Sequence, residues 1–186
     1  MEKKLTDFTE IVLGASIARY SKNKNSLKQK MPVLYCTVDE FYTNEEELVE
    51  NIDSKYLTQK GDVIFKLYEP QIAISIDENS IIPENVVVSS KFVILKPKGV
   101  EPKFLAELLN SSITKNQIQK FNQGELKLIR KSDLDKLKFE IPRIEEQKKF
   151  VKACESINDK IVLHKKLLKN YIDFKEGIVQ KTQKNN

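Results

Sequence analysis

Phe139-Glu140-Ile141-Pro142-Arg143-Ile144-Glu145-Glu146-Gln147 divides this 186-residue chain into two different parts. Before Pro142 the pattern is extended; after it, no helix breaker intervenes almost to the C-terminus. Phe150, Cys154, Ile157, Ile161, His164, Leu168, Tyr171, Lys175 and Ile178 recur at alternating spacings of four and three. That is the a/d seam of a coiled coil, apolar at seven of its nine positions. A helix from about Ile144 to Lys181 would run roughly 55 Å at 1.5 Å per residue. A domain of this size needs no such length for its own core, so the stripe calls for a partner helix. Lys175 and Gly177 weaken its far end; a helical glycine costs about 1 kcal/mol.

Upstream, strand-like runs dominate the first hundred residues. Glu10 to Ala18 contains Ile11-Val12-Leu13, and Met31 to Val38 reads as a second strand, with Pro32 suiting an edge or a start. Gly61-Asp62 turns into Val63 to Tyr68, and Gln71 to Ile76 alternates as a half-buried strand should. Val86-Val87-Val88 and Phe92 to Leu95 read as a pair of strands or one bent strand. Then the period changes. Pro102 opens a helix over Lys103 to Leu109, favourable for proline in a first turn, and a second helix covers Ile113 to Phe121. Asn122-Gln123-Gly124 breaks it, and Ser132-Asp133-Leu134 turns into a strand from Leu137 to Ile141. The expected fold is therefore α+β: a mixed α/β domain over 1–142 followed by a long C-terminal coiled-coil helix over 143–186. No internal repeat or low-complexity linker interrupts it.

The net charge of +5 is unevenly distributed. Residues 1–142 carry 21 basic and 21 acidic side chains, whereas 143–186 carry 11 and 6. Arg19, Lys22, Lys24, Lys28 and Lys30 come with no acid among them; Asp39, Glu40, Glu45, Glu46, Glu47, Glu50 and Asp53 come with no base. Such segregation can build a positive face for phosphates, although unevenly charged solvated surfaces have the same composition. No apolar run reaches membrane-span length, and the N-terminus has no h-region of a signal peptide. Cys36 and Cys154 read as small apolar fillers in a reducing compartment, and the expected location is the cytoplasm.

A search for catalytic constellations mostly finds absences. The single histidine, His164, occupies a seam position, where a polar residue sets register rather than catalyses. One histidine and two separated cysteines make no zinc site. Five glycines leave neither GxGxxG nor GxxxxGK, and no serine sits in GxSxG. Glu45-Glu46-Glu47 reads as the first turn of a helix capped by Asn44. The chain is thus expected to be no enzyme, with no metal and no cofactor of its own. Its turns point elsewhere: Lys22 to Ser26 and Gln119 to Gly124 mix cations, which hold phosphates, with amides, which can read adenine edges. Gly124 would let backbone approach a ligand or take a positive φ.

The order of these elements resembles the specificity (S) subunit of type I restriction-modification systems. It runs from Gly61-Asp62-Val63-Ile64-Phe65 through Phe92–Pro97, Phe104 to Ser111 and the Gly124 turn. It closes with Leu134 to Pro142 and Ile144-Glu145-Glu146-Gln147 opening the helix. The likeness covers about residues 9–180; each motif alone is weak, and their order and spacing together are strong. The strand Ile11-Val12-Leu13-Gly14 lacks the tryptophan that often precedes it in that family.

The resemblance implies a target recognition domain reading half of a split site in double-stranded DNA. Partners would do the chemistry: methylation subunits using S-adenosylmethionine on adenine, and a restriction (motor-nuclease) subunit where one joins. A complete family subunit carries two domains and two helices that pair antiparallel as a ruler. This sequence holds one of each, so two copies would restore the architecture as an antiparallel homodimer and read a palindromic bipartite site. The expected interface is Phe150, Cys154, Ile157, Ile161, His164, Leu168, Tyr171 and Ile178. The family's base-reading residues vary with the target, so the choice here rests on chemistry. It comprises Lys22, Lys24, Lys28 and Lys30 in one basic run, with Lys120, Asn122, Gln123, Lys127, Arg130 and Lys131 around the Gly124 turn. Two rival readings stand beside this one: a truncated or decoy protein that pairs with other S or M subunits to regulate them, and a coiled-coil interaction protein with no DNA role.

Overall fold

The computed structural model describes residues 2–20, 29–36, 41–44, 48–49, 52–121 and 128–184. The chain divides into two compact units, Met1–Gln147 and Lys148–Asn186. In order, the described elements are β1 (Lys3–Lys4), β2 (Thr9–Leu13), α1 (Ile17–Tyr20), β3 (Gln29–Lys30), β4 (Val33–Cys36), β5 (Phe41–Asn44) and β6 (Leu48–Val49). There follow β7 (Val63–Lys66), β8 (Ala73–Ser75), β9 (Val87–Val88), β10 (Phe92–Pro97), α2 (Pro102–Asn110), α3 (Ser112–Phe121), α4 (Lys131–Leu134), β11 (Lys138–Phe139) and α5 (Ile144–Lys184). Single 3-10 turns lie at Leu5–Asp7 and Ser54–Tyr56.

The main sheet has the order β2-β10-β7-β8, with each neighbouring pair antiparallel. Its two central strands read Val63-Ile64-Phe65-Lys66 and Phe92-Val93-Ile94-Leu95, with every one of those residues buried. The reason is that both faces are covered, so period-two alternation gives way to runs that are apolar except at Lys66. Ile64 and Ile94, in register with each other, join Leu34, Ile76, Ile82, Val86, Val88 and Phe92 in one core cluster. Side chains alternate along a strand, so Val63, Phe65, Val93 and Leu95 turn to the other face. There α2, which buries Phe104, Leu105, Ala106 and Leu109, packs on β7 and β8. Pro102 is in the first turn of α2, as its fixed φ and missing donor favour.

A smaller sheet, β5-β4-β9, is mixed: β4 pairs antiparallel with β5 and parallel with β9. The run from Val86 to Leu95 is therefore two strands in two sheets, turning at Ser89–Lys91. That turn explains Gly14. A Cβ at Gly14 would lie 2.1 Å from the Ser89 carbonyl oxygen, so only glycine lets β2 end against it. Next to it, the Ala15 N–H donates to the Val88 carbonyl at 2.7 Å and the Ser89 hydroxyl to that of Leu34 at 2.9 Å.

Three local expectations are corrected. The first strand stops at Leu13 rather than reaching Ala18, because Ile17 turns into helix and buries with Ala15, Val33 and Val87. Asn44 is the last residue of β5, in register with Val33, rather than a helix N-cap, and Leu48–Val49 pairs with β3. The β-forming Phe41-Tyr42-Thr43 outweighs the capping signal there; Glu45 to Glu47 lie outside the described residues. The turn at Ser132–Leu134 is a short helix, whose Asp133 carboxylate accepts the Arg130 N–H at 3.1 Å.

Candidate nucleic-acid interface and helical arm

Of the ten residues expected to contact DNA, Lys22, Lys24, Lys28, Asn122, Gln123 and Lys127 lie outside the described residues. Lys30 is in β3, its backbone in register with Leu48. Lys120, Arg130 and Lys131 are exposed. At the α3–α4 corner, Ile118 and Phe121 face Ile129 and Asp133 across a small crevice. The Lys136 ammonium lies 5.5 Å from the Phe121 ring centroid and 2.8 Å from the Asp133 carboxylate. That hydrogen bond holds the Asp133 carboxyl below its usual range. The Ile129 N–H donates to the Leu67 carbonyl at 2.9 Å, joining this corner to the loop carrying half-exposed Tyr68. Cations beside exposed aromatic rings can hold phosphates and stack on bases.

Three amides that base reading could have claimed do structural work instead. Asn110 clamps the outer strand β8, accepting the Ala73 N–H at 2.7 Å and donating to its carbonyl at 2.9 Å. Gln117 does the same to Lys138 of β11, at 3.0 and 2.8 Å. Gln147, only 1% exposed, accepts the Glu101 N–H and donates to the Pro142 carbonyl, both at 2.8 Å. Beside it the Glu146 carboxylate accepts the Arg143 N–H at 3.2 Å, closing the first turn of α5. The Pro-x-Ile-Glu-Glu-Gln motif is thus a structural junction.

A second aromatic cluster escaped the sequence reading because its members are 36 residues apart. Tyr20 and Tyr56 meet edge to face, ring centroids 6.2 Å apart. The Lys55 ammonium sits 4.9 Å from the Tyr56 centroid and 2.8 Å from the Asp53 carboxylate. Desolvation first, then Tyr56, raises the Tyr20 phenol above its usual value, while the Lys55 hydrogen bond lowers Asp53.

The second unit is helical throughout its described residues, and α5 spans 41 residues from Ile144 to Lys184. Phe150, Ile157, Ile161, Leu168, Tyr171 and Ile178 are 45–63% exposed in the single chain, and His164 is exposed too. Cys154 is partly buried. More apolar side chains than the seam counts are exposed: Leu167, Ile172, Phe174 and Val179 flank it in the distal half. No described helix is long and apolar enough to cross a membrane. Among the described residues, no cluster of three or more His, Cys, Asp or Glu could hold a metal ion.

A family model described as "Type I restriction modification DNA specificity domain" matches residues 1–171. A chain from a study of complex assembly and conformational transition of the type I R-M system superposes with a TM-score of 0.58 at 16% identity. The match covers 87% of this chain and 39% of that one. The HsdS subunit from Thermoanaerobacter tengcongensis superposes with a TM-score of 0.51 at 16% identity, over 87% of this chain and 38% of that one. This chain therefore spans about two fifths of the structures it matches. No curated protein matches it.

Proposed function

The chain belongs to the type I restriction modification DNA specificity family, and from that premise we propose that it is a half-length specificity subunit. Two copies pair antiparallel through α5 and present two identical domains to a bipartite, palindromic site in double-stranded DNA. The pair then directs a type I methylation subunit, which carries S-adenosylmethionine, to adenine; a motor-nuclease subunit can join the same complex in the cytoplasm. This chain contributes recognition and spacing rather than chemistry.

The observation that carries this reading is the exposed seam on α5. Six large apolar side chains at a/d spacing face solvent along one helix that follows one recognition domain. A coiled-coil seam is stable only when it is covered. The exposed cations at the α3–α4 corner supply the electrostatic part of DNA binding. Co-expression with a type I methylation subunit tests the proposal: adenine methylation of host DNA is expected. A stable complex without methylation would favour the decoy reading, and no complex at all would overturn the assignment.

A further inference from the structure

We infer that Tyr20, Tyr56 and Lys55 form a platform that holds a backbone phosphate of duplex DNA. The inference rests on the DNA-recognising reading above and adds a contact outside the residues chosen from sequence. Tyr20 closes α1 and Tyr56 closes the 3-10 turn Ser54–Tyr56, so both rings sit on short, defined backbone. Both pack on the satellite core of Ala15, Ile17, Val33 and Val87. Rings anchored in this way are preorganised, and binding through them orders little.

The polar ends make the site. The Tyr20 and Tyr56 rings meet edge to face and each carries a phenol hydroxyl. Each hydroxyl has one O–H that an outside acceptor can take. Lys55 brings an ammonium with three donors to the Tyr56 ring, and its bond to Asp53 uses one of them. Asp53 is itself engaged: its carboxylate also accepts the Lys55 N–H at 3.0 Å and caps the turn. Arg19, next to Tyr20 in the chain, is exposed and adds a further cation. A tyrosine pair serving only as filler would work equally well as phenylalanine. A platform for phosphate would not.

The test uses the full chain and a 30-base-pair mixed-sequence duplex, with affinity measured across a salt series. Lys55→Gln should reduce the slope of log K against log salt by about 0.9, one phosphate contact, and Lys55→Arg should restore it. The Tyr20→Phe/Tyr56→Phe variant should bind about 2–10-fold more weakly, the range of one lost hydrogen bond. Circular dichroism should match the parent chain for all three. Parental affinity and slope in both the Lys55→Gln and double-Phe variants, while the parent binds, would overturn the platform alone. If the parent binds no duplex even at low salt with a methylation subunit present, the recognition reading falls and the platform with it.

Discussion

Replacing Leu168 with alanine probes the seam without weakening the helix, because alanine has the highest helix propensity. Leu168 is 61% exposed in the single chain, so most of its side chain remains to be buried by a partner. Full burial of a leucine is worth about 1.5–3 kcal/mol; the exposed share gives roughly 1–2 kcal/mol per copy. A twofold dimer loses this twice, or roughly 2–4 kcal/mol, which at 1.4 kcal/mol per decade raises Kd about 30- to 1,000-fold. Adding Ile161→Ala, at 45% exposure, should roughly double the loss. Sedimentation equilibrium from 0.1 to 100 µM measures the dimer constant, and far-UV circular dichroism reports the helix. Because Leu168 is exposed in the monomer, melting of the Met1–Gln147 unit should not move. A parent chain that stays monomeric at 100 µM would refute the reasoning, as would a double variant dimerising as tightly as the parent.

Three further expectations follow from the first unit. Gln147→Met keeps the volume but leaves the Glu101 N–H and the Pro142 carbonyl without their amide partner, so chemical denaturation should show a loss of roughly 2–4 kcal/mol; an unchanged midpoint would remove the structural role of this motif. Gly14→Ala forces a methyl to within 2.1 Å of the Ser89 oxygen, and should cost at least the 1–3 kcal/mol typical of overpacking, read as lowered melting temperature and soluble yield. Asp77 accepts a hydrogen bond from Lys103, its ammonium 2.9 Å away, which lowers the carboxyl below 3.8. The native state therefore favours the ionised form, a contribution present above the unfolded value of about 3.8 and lost as pH falls through the lowered one. Asp77→Asn should lose less stability than the parent between pH 5 and pH 2; equal acid losses would contradict the assignment.

The long helix and several of the strands were legible because their signals are local. Heptad spacing from Phe150 to Ile178 and alternation from Gln71 to Ile76 depend on residues within a few turns of one another. The split of Val86 to Leu95 between two sheets was not legible, since nothing in a run of β-branched residues says where its partners lie. Asn44 looked like a cap and became a strand end for the same reason: Val33, eleven residues earlier, is its partner. For the candidate interface the signals were weaker. Lys120, Arg130 and Lys131 were chosen from composition, and the structure leaves them exposed. Tyr20 and Tyr56 were missed because only tertiary packing makes them neighbours, and Gln117 and Gln147 could be placed only once their backbone partners were known.

The most direct test of the central claim is the symmetry of the methylated site. With the chain as the sole specificity component beside a methylation subunit, adenine methylation mapped across the host genome should define two identical half-sites. They should be in inverted orientation and separated by a gap of fixed length. Methylation at an asymmetric or uninterrupted motif would contradict a subunit built from two copies of one domain on antiparallel helices.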